Sequence, residues 1–117
     1  MTTDESVATP EAAQVLVQMH QLLWQAGVQA HRRARENQDL DAVDLAFNLS
    51  HLCTQVYDLV PEEHRDDLLD RPEVTRADPV DLAGRAAGLA RAVPTLQFPQ
   101  GTDAVVLLLD DTLRDFS

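Results

Sequence analysis

The chain has no lysine, one cysteine, four glycines and one tryptophan among 117 residues. Each shortage removes a class of structure or function. With Cys53 alone, no internal disulfide forms, which fits a reducing compartment. No apolar run approaches the ~18 residues that mark a transmembrane helix, so no membrane association is expected. Met1 to Pro10 has neither a basic start nor an apolar centre, so a secretory signal is not expected and the location read is cytoplasmic. Nine basic residues, all arginine, stand against 20 Asp and Glu, for a formal net charge of −11. A field of that sign repels phosphate backbones, and Arg32, Arg33 and Arg35 are better placed to complement a helix C-terminus than to read nucleic acid. Neither a glycine-rich phosphate loop nor a Ca²⁺-loop spacing is present.

What is present is amphipathic helix. Hydrophobic residues make up 44% of the chain and charged residues 25%, the balance of a folded domain rather than a disordered chain. The stretch Glu11 to Arg35 carries apolar residues around roughly 240° of a helical wheel at ~100° per residue. A surface helix usually shows a stripe only a little over ~100° wide, so this one needs cover from two sides. Its main face is Ala12, Val15, Leu16, Met19, Leu22, Leu23, Ala26 and Ala30. A second face, rotated by about 100°, carries Val17, His20, Trp24, Gly27, Val28 and His31. Gln14, Gln18, Gln21, Gln25, Gln29 and Arg32 form the narrow polar stripe. Either later helices of the same chain cover the second face, or a second subunit or partner does, tryptophan being enriched at binding hot spots.

A second helix is expected from about residue 40 to 59, capped by Asp39 or Asp41, with Ala42, Leu45, Ala46, Leu49, Leu52, Cys53, Val56, Tyr57 and Val60 on its main stripe. The short connection makes helices 11–35 and 40–59 an antiparallel hairpin, bringing Trp24 level with His51. Leu40, Val43 and Phe47 lie on the back of the second helix. A buried phenylalanine gains roughly 1.5 to 3 kcal/mol over an exposed one, so Phe47 is expected to have a cover, internal or from a partner.

Pro61 opens a short helix to Leu69, within an acidic segment that runs to Asp81. Pro72 and Pro79 bracket an irregular link. Asp78 caps a third helix with Leu82, Ala83, Ala86, Leu89, Ala90 and Val93 inward, leaving Gly84 and Gly88 outward. After Pro94, Pro99 and Gly101, a last helix opens at Thr102 or Asp103 with Val105, Val106, Leu109, Leu113 and Phe116 on one face. The expected fold is all-α: the hairpin with two or three shorter helices packed on it, resembling a four-helix bundle, as a single domain over 10–117 behind a flexible tail at 1–9.

Chemistry is harder to find. The residues three before His20, His31, His51 and His64 are Val17, Val28, Asn48 and Pro61, so the Glu-x-x-His pattern of di-metal bundles is absent. Cys53 sits on an apolar stripe with no adjacent base. No catalytic set, metal or cofactor is expected, and the chain reads as a protein acting through protein–protein contact, as a homodimer or as a regulatory or inhibitory partner of a protein that is basic in the inhibitory case. The contact residues expected are His20, Trp24, Val28, His31, Val43 and Phe47. The rival reading is a small-molecule-binding or enzymatic bundle with a pocket lined by Trp24, His20 and His51.

Overall fold

Thr9 begins the first helix in the computed structural model, which describes residues 9–69 and 76–116. Of the tail expected at 1–9, residues 1–8 lie outside the described residues, as do residues 70–75 around Pro72, while Thr9 belongs to the first helix as its cap. The Thr9 hydroxyl oxygen accepts from the Ala12 N–H at 3.2 Å, and Pro10 takes the first helical position, where its missing N–H costs nothing. Helix α1 then runs Pro10–Asn37. Gln38 follows in the left-handed conformation at φ 51°, a place usually held by Gly or Asn. Asp39 starts the return at once, its carboxylate accepting from the N–H groups of Asp41 and Ala42 at 3.0 and 3.3 Å. Helix α2 is Leu40–Leu59, and with so short a turn the pair must be antiparallel.

Beyond Pro61, the segment Glu62–Leu69 is a 3-10 helix that packs back on α1. Asp78 caps α3, Pro79–Arg91, by accepting from the Asp81 N–H at 3.3 Å. The same carboxylate holds the Arg33 guanidinium at 2.8 Å, which fastens the start of α3 to the end of α1. At the other end of the molecule, a short 3-10 turn at Thr95–Gln97 accepts the Thr9 N–H through the Gln97 carbonyl at 3.0 Å. So α3 runs antiparallel to α1. Helix α4, Thr102–Phe116, begins beside the end of α2, where Gly101 lies against Leu59, and is tied to α3 by an Arg91–Asp110 ion pair.

The helices therefore form a ring in the order α1, α2, α4, α3, each packed on its two ring neighbours. The expected all-α, bundle-like fold is what the chain adopts, and among the described residues there is no strand. Leu16, Met19 and Leu23 from α1 meet Leu49 and Val56 from α2, Leu82 from α3 and Leu109 from α4 in one core. From α3 come Ala83, Ala86, Ala87 and Ala90, all buried, side chains short enough to let its axis lie close to α1. No helix among the described residues is long and apolar enough to cross a membrane.

One expectation needs correcting. Only part of the glutamine stripe of α1 lies in solvent: Gln14 and Gln18 are exposed, whereas Gln25 and Gln29 are only 7% and 8% exposed. The approach to α3 crosses that flank, with Arg76 and Ala77 beside Gln29, so the polar stripe is split by the helix that the small-residue face draws in.

The hairpin core and its cap are separable in energy. Leu49→Ala is expected to cost about 2–5 kcal/mol, the range for a fully buried leucine, and Asp39→Ala about 1 kcal/mol for a lost N-cap. Urea unfolding followed by circular dichroism should show both as lower midpoints at unchanged slope.

Candidate functional site

Three contacts set how α1 and α2 face each other. The Cys53 thiol donates to the His20 carbonyl oxygen at 3.7 Å. The His20 and Tyr57 rings lie 5.9 Å apart, tilted by 54°. A Cβ placed on Gly27 would stand 3.8 Å from the Ser50 hydroxyl. On the outer side of this seam, away from α3 and α4, the helices leave a groove of about 410 Å³. Its α1 wall carries His20, Trp24, Val28 and His31, and its α2 wall carries Ser50, Cys53, Thr54 and Tyr57. Four of the six expected contact residues thus line one groove.

The other two continue it. Phe47 and Val43 stand three and seven residues before Ser50, on the same stripe of α2, towards the hairpin connection. They are 74% and 49% exposed, and Leu40 beyond them is 79% exposed. No part of the described chain covers Phe47. The second face of α1 is itself divided: Val17 and Gly27 are buried, Trp24 and Val28 half-buried, and His31 exposed.

The 3-10 segment closes the lower end of the groove. Leu68 is buried in the core, while the Arg65 Nε–H donates to the Val60 carbonyl at 3.2 Å and the guanidinium lies 5.0 Å over the Tyr57 ring. This arrangement holds Tyr57 between α1 and the acidic segment. Glu62 and Glu63, both exposed, line a separate cleft with Asp58, Pro99 and Gln100.

His51 is not part of the groove. Being one residue past Ser50, it is rotated by about 100° around α2, is exposed, and has its ring nitrogen 3.3 Å from the Gln55 side-chain amide. The pocket expected from Trp24, His20 and His51 therefore loses its third member to Ser50, Thr54 and Tyr57. Cys53 and Tyr57, expected among the core positions of α2, stand at the edge of the core instead, because the buried line runs through Leu49, Leu52 and Val56. The signal that would have found them is the phase of that line: both are displaced from it towards α1's second face.

Chemically the groove offers an apolar floor with hydroxyls, imidazoles and one thiol at its sides. His20 and His31 are about 16 Å apart along the axis at 1.5 Å per residue, and among the described residues no group of three His, Cys, Asp or Glu is close enough to hold a metal ion. A second groove of about 500 Å³ lies between the end of α3 and the start of α4, lined by Val93, Phe98, Val106 and Leu107 among others. Comparison with models of protein families, with curated proteins and with solved structures finds no match to this chain.

Gly27 lies on the groove floor, where an added methyl would make ordinary contact rather than a clash. In a helix interior, glycine costs about 0.5–1 kcal/mol relative to alanine. Gly27→Ala is therefore expected to raise stability by that amount, read as a higher unfolding midpoint. A lower midpoint would show that the seam is tighter than the 3.8 Å approach implies.

Proposed function

We propose that this protein acts by binding another protein through the outer face of the α1–α2 hairpin, with Trp24, Val28 and Phe47 as apolar anchors and His20, His31 and Val43 around them. The observation that carries this reading is the set of exposed apolar residues Phe47, Val43 and Leu40 that follows the groove's α2 wall beyond Ser50, on a chain of formal net charge −11. Single exposed apolar residues are ordinary, but a contiguous patch rimmed by polar groups marks an interaction surface. Two helices side by side with a hydrophobic channel between them are a known seat for an amphipathic helix. In this reading the protein is a regulatory or inhibitory partner without catalysis of its own, acting in the cytoplasm.

The rival reading, a small-molecule site, draws on the groove alone. A volume of about 410 Å³ falls in the range of ligand pockets, roughly 300–1,000 Å³. It leaves Phe47, Val43 and Leu40 without a role, since they extend past the mouth that such a ligand would fill.

Trp24→Ala and Phe47→Ser separate the two readings. Each is expected to weaken the complex by more than about 2 kcal/mol, some 30-fold in Kd, if it is a hot spot. The measurement is affinity capture from the cells that make the protein, followed by sedimentation of the captured complex, with circular dichroism to verify the fold. Complexes that persist unchanged in both variants would remove the association reading. A groove ligand would instead show as sensitivity at Trp24 with none at Phe47.

A further inference from the structure

Helix α2 turns an exposed seam away from its ring neighbours. Leu40, Val43, Phe47, Ser50, Thr54 and Tyr57 follow one another at alternating steps of three and four residues, and all six are exposed. That alternation is the spacing by which one helix packs along another, knobs into holes. The two halves of the seam differ. Leu40, Val43 and Phe47 are large and apolar, whereas Ser50 and Thr54 carry short hydroxyl side chains, and there the surface falls away into the groove of about 410 Å³. One half is convex and the other concave, and they are arranged symmetrically about a midpoint between Phe47 and Ser50.

That symmetry selects the occupant. A two-fold axis through the midpoint, perpendicular to the helix, lays a second α2 antiparallel on the first. Phe47 then meets Ser50, Val43 meets Thr54 and Leu40 meets Tyr57, each twice, which is the self-complementarity that an isologous contact requires. A parallel pairing would set Phe47 on Phe47 and leave both grooves empty. The seam is roughly 26 Å long, and the hairpin face is about 20 Å wide at ~10 Å per helix. The two copies together thus cover about 1,000 Å², where specific interfaces begin. Among the described residues no carboxylate lines the groove, and the nearest acids of α2, Asp44 and Asp58, lie with His51 on the flank of the seam.

On the premise that the outer face of the hairpin binds protein, we infer that its occupant is a second copy of this chain, paired antiparallel through α2 so that Phe47 of each copy covers Ser50 and Thr54 of the other. The interface is small and each copy carries a formal charge of −11, so the dimer is weak and salt strengthens it by screening the repulsion.

Sedimentation equilibrium of the full chain over roughly 10 to 500 μM, the span of a weak Kd, is expected to show monomer and dimer in exchange. The dimer should tighten severalfold between ~0.05 and ~0.5 M salt. Trp24 is the only tryptophan of the chain and lines the groove, so its emission should shift with the same concentration midpoint. Phe47→Ser, at an exposed position, should weaken the dimer by about tenfold or more and remove the shift. Asp44→Lys tests direction. The antiparallel pairing brings that cation towards Asp58 of the other copy, so the dimer should tighten severalfold at low salt, whereas a parallel pairing would set lysine beside lysine.

A chain that stays monomeric across this range overturns the inference and leaves the association reading to a different partner. A dimer that survives Phe47→Ser, or that leaves Trp24 emission unmoved, overturns it by placing the contact elsewhere, as at the exposed Leu96 and Leu107. An Asp44→Lys dimer no tighter than the parent overturns the antiparallel pairing and the inference with it. The association reading falls separately, if cellular complexes ignore both Trp24→Ala and Phe47→Ser.

Discussion

The structure depends on a mismatch between the apolar arc of α1 and what its neighbours in a ring of four helices can cover. A helix in such a ring buries the sector that points at its two neighbours and at the centre. For α1 that sector holds Leu16, Met19, Leu23, Ala26 and Ala30, all buried. The arc goes on past α2, through His20, Trp24, Val28 and His31, where the ring places no helix. The 3-10 segment Glu62–Leu69 covers only the lower part of this excess, and the groove is what remains. Its position follows from the order of the ring: had α3 or α4 packed outside the α1–α2 seam, Trp24 would be a core residue.

The alanine face of α3 is the other half of that constraint. A ring neighbour with large side chains would stand farther off and leave Gln25 and Gln29 in water. Ala83, Ala86, Ala87 and Ala90 are short enough to let it lie close, and Gln29 is buried beside the Arg76–Ala77 approach to it. The outward positions Gly84 and Gly88 have no neighbouring atom within 4 Å of where a Cβ would lie, so the small residues that matter for packing are the alanines. The caps fix direction at both ends of α3. Asp78 serves the helix and Arg33 at once, and the Thr9–Gln97 contacts close the opposite end.

Much of this was legible in the sequence, because helix spacing and caps are local. Thr9 with Pro10, Asp39, and Asp78 with Pro79 mark three helix starts that the structure keeps, and the main stripes of all four helices predict most of the core. The candidate site was half legible. Periodicity put His20, Trp24, Val28 and His31 on one face, and put Val43 and Phe47 on the back of α2, but it carries no information on which seam stays open. Two errors share one cause. Assigning Cys53 and Tyr57 to the core, and His51 to the pocket, both follow from counting along α2 without knowing its rotation about its own axis. Tyr57 and His51 stand about 120° apart around α2 at ~100° per residue, so the rotation of the helix decides which of them reaches the groove wall. Gln25 and Gln29 were misread because burial by a third helix is a long-range event with no local trace.

The acidic exterior and the open apolar face are best understood together. An exposed row such as Leu40, Val43 and Phe47 invites self-association. Net charge of one sign opposes that tendency, because two copies repel as they approach within a screening length of about 8 Å at physiological salt. The repulsion is a sum over many carboxylates rather than the work of one pair. In this view the abundance of Asp and Glu is not only a matter of solubility. Each carboxylate contributes according to its distance from the approaching surface, so those on α4, such as Asp103, Asp111 and Asp115, act on the exposed row only through a screened field. The distinction follows from distance alone, since Coulomb attraction in water falls to about 1 kcal/mol already at ~4 Å.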